Sequence, residues 1–129
     1  MVKIAIIEDD ATISQMYRMK FEADGFDVRL ASNGTIGVAL VESFRPDVIL
    51  LDIQMPEMDG AEALRRIRSH AWGKTIPVIV LTNLGEEEAP REMRSLGIQG
   101  YIVKANLTPR QVVAQVKAIT AKPLASTEH

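Results

Sequence analysis

The chain has 129 residues, no cysteine, and 17 acidic against 15 basic side chains, which gives a net charge of −2. This length is that of one domain, and 47% hydrophobic with 25% charged residues is typical of a chain that folds around its own core. The lack of cysteine excludes disulfides, thiolate zinc sites and cysteine nucleophiles, and the slight excess of acid argues against general nucleic-acid binding.

Five short apolar runs predict β-strands. Each is rich in β-branched residues and mostly apolar on both faces, as is typical of parallel strands covered by helices. In chain order the runs are residues 4–7, 28–31, 48–51, 78–81 and 101–103.

The segments between these runs have helical periodicity. The first carries Ile13, Met16, Tyr17 and Phe21 and is expected to end at Gly25; the second carries Ile36, Leu40, Val41 and Phe44 and ends before Arg45. The third follows Asp59-Gly60, with Leu64 and Ile67 turned inward and Arg65, Arg66 and Arg68 turned to water. The fourth is predicted from about Glu86 to Gly97, with Ala89, Met93 and Leu96 inside. In the fifth, Thr108 is the predicted N-cap, Pro109 the first helical residue, and Val112, Val116 and Ile119 the buried face.

Five alternating strand–helix units predict an α/β fold with a parallel sheet, because such units are joined by right-handed crossovers. Five are too few for an eight-stranded barrel, so we expect an open, doubly wound sheet. The predicted domain spans residues 1–122, and the small polar residues 123–129 are expected to form a flexible C-terminal tail. The apolar N-terminus meets acids at Glu8, too early for a signal peptide, and no run reaches membrane-spanning length, so a cytoplasmic location is expected.

Polar residues follow four of the predicted strands. Glu8, Asp9 and Asp10 follow the first strand, Asp52 the third, Thr82 the fourth and Lys104 the fifth. Most have an ordinary structural explanation, with Asp10 as a helix cap and Glu8, Asp9 and Lys104 as solvated side chains. Asp52 is harder to explain in this way, because it directly follows the apolar run 48–51 of an expected central strand. Because the carboxyl ends of parallel strands share one edge of the sheet, where ligands bind, the sequence predicts a single site there.

Such a cluster of carboxylates requires a cation. Two carboxylates about 4 Å apart repel by roughly 1 kcal/mol in water and roughly 4 kcal/mol at an effective dielectric of 20. Hard oxygen ligands without histidine or cysteine favour Mg²⁺ or Ca²⁺, and a site with few protein ligands and a neighbouring phosphate favours Mg²⁺. Lys104 would add positive charge near Asp52, and an aspartate is a competent phosphoryl acceptor.

The chain resembles the receiver domain of two-component response regulators. The resemblance extends over nearly the whole chain and is carried by residues 6–10 (IIEDD), 47–60 (DVILLDIQMPEMDG), 77–82 (PVIVLT) and 100–104 (GYIVK). It implies the flavodoxin-like (βα)5 sheet with strand order 2-1-3-4-5. It also implies a signalling domain and not a classical enzyme, with Mg²⁺-dependent self-phosphorylation and autodephosphorylation chemistry.

The resemblance assigns roles to individual residues. Asp52 would accept a phosphoryl group from a histidine kinase or a histidine phosphotransfer protein, and Mg²⁺ would be bound by Asp9, Asp52 and the backbone carbonyl of Gln54, with Glu8 acting through water. Lys104 and the Thr82 hydroxyl would contact the phosphoryl oxygens. Thr82 and Tyr101 would act as the switch that changes the surface of the fourth helix, fifth strand and fifth helix. The resemblance implies no direct nucleic-acid or membrane partner, allows a homodimer that forms on phosphorylation, and leaves the downstream protein target unidentified.

Two positions depart from the family pattern. Ala105 follows Lys104 where proline is usual, so a cis peptide bond is not expected there. Asn83 follows Thr82 where a small residue such as alanine is usual, and we expect it to alter the kinetics of phosphorylation or hydrolysis.

Two other functions are consistent with parts of the pattern. A haloacid-dehalogenase-like phosphatase also has a strand-end aspartate and Mg²⁺, but it normally carries a second aspartate where this chain has Gln54. A pseudo-receiver would keep the fold as an interaction module without accepting phosphate.

Overall fold

The strands form one parallel sheet. The structure is a computed structural model that describes residues 2–53, 55, 58–82, 95–103 and 107–126. The strands are β1 (Lys3–Ile7), β2 (Asp27–Ala31), β3 (Val48–Asp52), β4 (Val78–Thr82) and β5 (Gly100–Val103). They lie in the order β2-β1-β3-β4-β5, and every neighbouring pair is parallel. The predicted doubly wound sheet with order 2-1-3-4-5 is confirmed.

The described helices follow the strands along the chain. They are α1 (Ala11–Ala23), α2 (Gly34–Phe44), α3 (Gly60–Arg68), a short 3₁₀ helix (Ala71–Gly73) and the C-terminal helix (Pro109–Ser126). Most of the fourth helix predicted from the sequence lies outside the described residues. Glu86, Ala89 and Met93 are among the positions that fall there. Among the described parts of the chain, no helix has the length and apolar character needed to cross a bilayer.

Side-chain oxygens cap the N-termini of three helices. The carboxylates of Asp10 and Asp59 and the amide oxygen of Asn33 each accept a hydrogen bond from the backbone N–H three residues on, at 2.8–3.0 Å. A side-chain oxygen at this position satisfies one of the N–H groups that the helix leaves without an internal partner. These caps fix the chain where it leaves the carboxyl edge of the sheet.

The ends of α1 and of the C-terminal helix follow the sequence signals. At Gly25, with φ of 88°, the N–H bonds to the Glu22 carbonyl and the N–H of Phe26 to the Phe21 carbonyl, both at 3.0 Å. This is a Schellman motif, and the Phe21 and Phe26 rings pack edge to face across it. The C-terminal helix begins at Pro109 as predicted, and it continues to Ser126, so it includes the first four residues of the expected tail.

Apolar side chains fill both faces of the sheet. Because successive side chains of a strand point to opposite faces, Ile4 and Ile6 pack on one side with α1 and the C-terminal helix, whereas Ala5 and Ile7 pack on the other with α2 and α3. Every residue of β3 and β4 is buried, as the two-sided apolar runs predict. The apolar stripe predicted for α2 is only partly buried: Ile36 is 48% exposed, whereas Val41 is buried together with Gly34 and Gly37.

Arg68 does not face water as the helical pattern predicts. Its guanidinium donates hydrogen bonds of 2.6–2.9 Å to the backbone carbonyls of Leu96, Gly97, Gly73 and Ile76. Burial lowers the pKa of this side chain from its ordinary value, but a guanidinium remains protonated in proteins. Arg68 therefore ties the end of α3 to the segments that enter β4 and β5.

We expect Arg68→Met to destabilise the protein by about 2 kcal/mol or more, because hydrogen bonds to a charged group each contribute about 1.5–3 kcal/mol and do not add fully. The matched control is Arg66→Met on the same helix. The exposed Arg66 guanidinium pairs with the Glu62 carboxylate at 2.9 Å, and losing this pair should lower the free energy of unfolding by less than about 1 kcal/mol. Urea unfolding of the two variants measures the difference. Equal losses would show that Arg68 is an ordinary surface residue.

Candidate functional site

The carboxyl edge of the sheet is built from residues that end adjacent strands. Asp52 is the last residue of β3, which lies between β1 and β4 at the centre of the sheet. Glu8 follows β1 directly, and its N–H continues the ladder to the Ala31 carbonyl at 3.0 Å. Thr82 ends β4 and pairs in register with Val103 of β5. The strand order therefore brings these chain segments to one edge, as the sequence predicts.

Three carboxylates meet at this edge. One oxygen from each of Glu8, Asp9 and Asp52 lies within 4.8 Å of the others. Glu8 is 2% exposed and Asp52 3% exposed, whereas Asp9 is exposed to solvent. A separation of this size between like charges favours a bound cation, and an all-oxygen donor set suits a hard ion such as Mg²⁺ or Ca²⁺. The residues present therefore fit a divalent metal.

The third acid after β1 has a different role. Asp10 is the N-cap of α1, where its Oδ1 accepts from the Ile13 N–H at 3.0 Å. Its backbone N–H in turn donates to Glu8 Oε2 at 3.1 Å. The sequence left open whether Asp10 caps the helix, and the structure shows that it does. The helix cap also orients the Glu8 carboxylate beside Asp52.

Gly60 allows the first turn of α3 to pack closely against the backbone at Asp52 and Ile53. A Cβ atom at this position would lie 2.5 Å from the Ile53 Cα and 2.6 Å from the Asp52 carbonyl oxygen, closer than real Cβ contacts. The Gly60 N–H also donates to the Ile53 carbonyl at 3.2 Å. The sequence analysis used Asp59-Gly60 as a helix start and as the end of the 47–60 motif, and it missed this positioning role. The signal was a glycine just inside a helix, eight residues after the strand-end aspartate.

The remaining predicted residues divide into two groups. Thr82 is fully buried at the end of β4, and Tyr101 is half-buried on β5, where it pairs in register with Val80 and packs against the α2–α3 side of the core. Lys104 and Gln54 lie outside the described residues, as do Asn83 and Ala105. The structure thus brings together Glu8, Asp9 and Asp52 and places Thr82 on the adjacent strand.

Comparisons with known proteins agree with this arrangement. The family model described as "Response regulator receiver domain" matches residues 4–117. Transcriptional regulatory protein SrrA of Staphylococcus aureus is 36% identical over 125 residues, which cover 97% of this chain and 50% of that protein. The chain therefore spans about half the length of the curated relatives that it matches.

Solved structures of receiver proteins superpose closely. Chemotaxis protein CheY4 of Vibrio cholerae is 28% identical, with a TM-score of 0.85 over 92% of this chain and 98% of that one. The receiver domain of Francisella response regulator 1452 is also 28% identical, with a TM-score of 0.85 over 95% of this chain and 99% of the other. Sheet order, strand-end residues and family match lead to one conclusion: this chain belongs to the response regulator receiver domain family.

Proposed function

We propose that this receiver domain accepts a phosphoryl group on Asp52 from a phosphohistidine of a histidine kinase or a histidine phosphotransfer protein. The observation that supports the proposal best is the buried Asp52 carboxylate beside Glu8 and Asp9 at the end of the central strand. An Asp52 carboxylate oxygen forms the bond to phosphorus. The phosphorus–nitrogen bond of the donor breaks, and its electron pair leaves with the imidazole.

The acidic cluster is proposed to bind Mg²⁺ through Asp9, Asp52 and the backbone carbonyl of Gln54, with Glu8 acting through water. Bound there, the ion supplies positive charge against the phosphoryl oxygens. Glu8 and Asp52 are held by buried backbone at strand ends, so this chain's part is to fix carboxylate positions before the donor arrives. The hydrogen bond from Asp10 to Glu8 adds to that fixation.

Lys104 and Thr82 are proposed to contact the phosphoryl oxygens. Thr82 lies on the strand next to Asp52 and is fully buried, so its hydroxyl is restricted to this edge. Tyr101 lies diagonally across from Thr82 on the adjacent strand, because its register partner is Val80 and that of Thr82 is Val103. Movement of Thr82 toward a phosphoryl group would leave space for Tyr101 to turn inward. The proposed output is a change in the surface formed by the fourth helix, β5 and the C-terminal helix. A second copy of this chain or another protein would bind the changed surface.

The proposal is tested by incubating the chain with acetyl phosphate and Mg²⁺ and measuring its intact mass. We expect one added phosphoryl group, and none with EDTA or in Asp52→Asn. Asp24→Asn is the matched control, because Asp24 is an exposed carboxylate whose partner is Lys117, and it should leave the adduct unchanged. No adduct on the wild-type chain would favour a phosphate-independent interaction module, and turnover of added phosphoesters would favour a phosphatase.

Thr82→Val tests the switch separately from phosphorylation. The valine keeps the shape of the side chain but removes the hydroxyl, so the phosphoryl adduct should still form. Without the hydrogen bond from this hydroxyl, the switched conformation of the phosphorylated chain should be less stable by about 1 kcal/mol, which shifts the switching equilibrium about fivefold. The measurement is the phosphorylation-induced NMR shift of Tyr101, and Thr82→Ser should restore it. An unchanged Tyr101 shift in Thr82→Val would contradict the assigned role.

A further inference from the structure

Two aromatic rings lie among cations near the amino edge of the sheet, away from the carboxylate cluster. The Phe44 ring has the Lys3 ammonium at 5.1 Å and the Arg29 guanidinium at 5.2 Å from its centroid. The Trp72 ring has the Arg45 guanidinium at 5.7 Å and the His70 ring stacked on it at 4.7 Å. We define the basic–aromatic surface as Arg29, Phe44, Arg45, His70 and Trp72.

Helix capping explains only part of this arrangement. The last turn of α2 has no basic residue of its own, and Lys3 Nζ donates to the Phe44 carbonyl at 2.8 Å while Arg45 Nε donates to the Glu42 carbonyl at 2.6 Å. These contacts satisfy carbonyls at the helix end. They do not account for Arg29, which is exposed, nor for the exposure of His70 beside a half-buried tryptophan.

The two arginines keep hydrogen-bonding capacity. Within the residues that the structure describes, neither Arg29 nor Arg45 forms an ion pair with a carboxylate, and only the Nε of Arg45 donates a hydrogen bond. The neighbouring Asp47 carboxylate is already the acceptor for the Lys3 backbone N–H at 2.8 Å. Both arginines are exposed, and within the described part of the chain the terminal nitrogens of neither guanidinium donate a hydrogen bond.

We propose that the basic–aromatic surface docks an acidic segment of a partner protein. Arginine presents paired N–H groups that match a carboxylate, and the exposed portions of the half-buried Phe44 and Trp72 rings offer apolar contact to a side chain between two acids. A nucleic acid is the weaker match, because two exposed arginines on a chain of net charge −2 do not form the basic stripe that phosphate backbones need. The surface lies at the opposite edge of the sheet from Asp52, so docking and phosphorylation would not compete for space.

Trp72 provides a direct reporter, because it is the only tryptophan in the chain. The probe is a capped Glu-Glu-Phe-Glu-Glu peptide, followed by Trp72 emission and by NMR shifts of the backbone amides. We expect saturable binding that weakens as salt is added, with shifts centred on residues 44–45 and 70–72. Absence of saturable binding, or shifts centred elsewhere, would overturn the proposal.

Charge-matched variants separate this surface from general electrostatics. Arg29→Gln with Arg45→Gln should weaken the peptide at least about tenfold, since each lost charge-assisted hydrogen bond is worth about a factor of ten. Lys20→Gln with Arg110→Gln removes the same charge from another exposed surface and should leave the affinity unchanged. Because Arg45 also caps α2, Arg29→Gln alone is included, and a several-fold loss is expected from it. Equal losses in the two double variants, or tighter binding of a five-nucleotide oligothymidine than of the peptide, would show that the assignment is wrong.

Discussion

Gly60→Ala is expected to destabilise the protein by about 3 kcal/mol, at the upper end of the usual cost of overpacking. The added Cβ would meet backbone atoms of Asp52 and Ile53 at 2.5–2.6 Å, and backbone in the centre of a buried sheet has little room to move. Urea unfolding in the presence of EDTA measures this loss without a metal contribution. Gly100→Ala is the control, because its Cβ would meet side-chain atoms at 3.5–3.6 Å, an ordinary van der Waals distance.

The same substitution should impair phosphorylation in the fraction that remains folded. Relief of the clash requires α3 to move away from β3 or the end of β3 to shift, and a shift of the end of β3 displaces the Asp52 carboxylate from Glu8 and Asp9. We expect slower formation of the acetyl phosphate adduct in Gly60→Ala and an unchanged rate in Gly100→Ala. Similar stability and rates in the two variants would contradict the positioning role of Gly60.

Asp52→Asn is expected to stabilise the metal-free protein. The carboxylate oxygens of Glu8, Asp9 and Asp52 lie within 4.8 Å, and removing one charge relieves a repulsion of about 1–3 kcal/mol between each pair at an intermediate dielectric. The asparagine amide can also donate to the two remaining carboxylates. Asp24→Asn, outside the cluster, should change the free energy of unfolding by less than about 0.5 kcal/mol.

Mg²⁺ should make the wild-type chain more stable than Asp52→Asn, the reverse of the order expected without metal. A ligand that binds only the folded state stabilises it by about 2.7 kcal/mol at a hundred times its dissociation constant. The wild-type chain and Asp24→Asn are expected to gain this stability, whereas Asp52→Asn loses a ligand and gains little. Parallel unfolding curves with EDTA and with Mg²⁺ provide the comparison. Equal gains from Mg²⁺ in the wild-type chain and Asp52→Asn would exclude Asp52 as a metal ligand.

The sequence was sufficient to predict the sheet, because the central strands are buried on both faces. Continuous apolar runs at residues 48–51 and 78–81 have no polar side that could face water, so they predict central strands. Once the strands are parallel, their carboxyl ends share an edge, which is why the proximity of Glu8, Asp9 and Asp52 was predictable from residues far apart in the chain.

Details that depend on long-range contacts were not predictable. The pattern of α3 places Arg68 on its polar side, but four carbonyls from residues 73, 76, 96 and 97 surround the guanidinium in the folded chain. The exposure of Ile36 likewise depends on how α2 packs, because Gly34 and Gly37 approach Met58 and Ile7 too closely for a side chain. Helical periodicity identifies an apolar stripe but not how far the helix rotates toward its glycines.

The central claim is that the phosphoryl group resides on Asp52, and the most direct test is to locate it chemically. An acyl phosphate is reduced by borohydride to an alcohol, which converts a phosphorylated aspartate to homoserine. After treatment with acetyl phosphate, Mg²⁺ and borohydride, peptide mass spectrometry should find homoserine at position 52 and aspartate at positions 9 and 10. Homoserine at position 9 or 10, or unmodified aspartate at position 52 in a chain that carries the phosphoryl mass, would contradict the assignment.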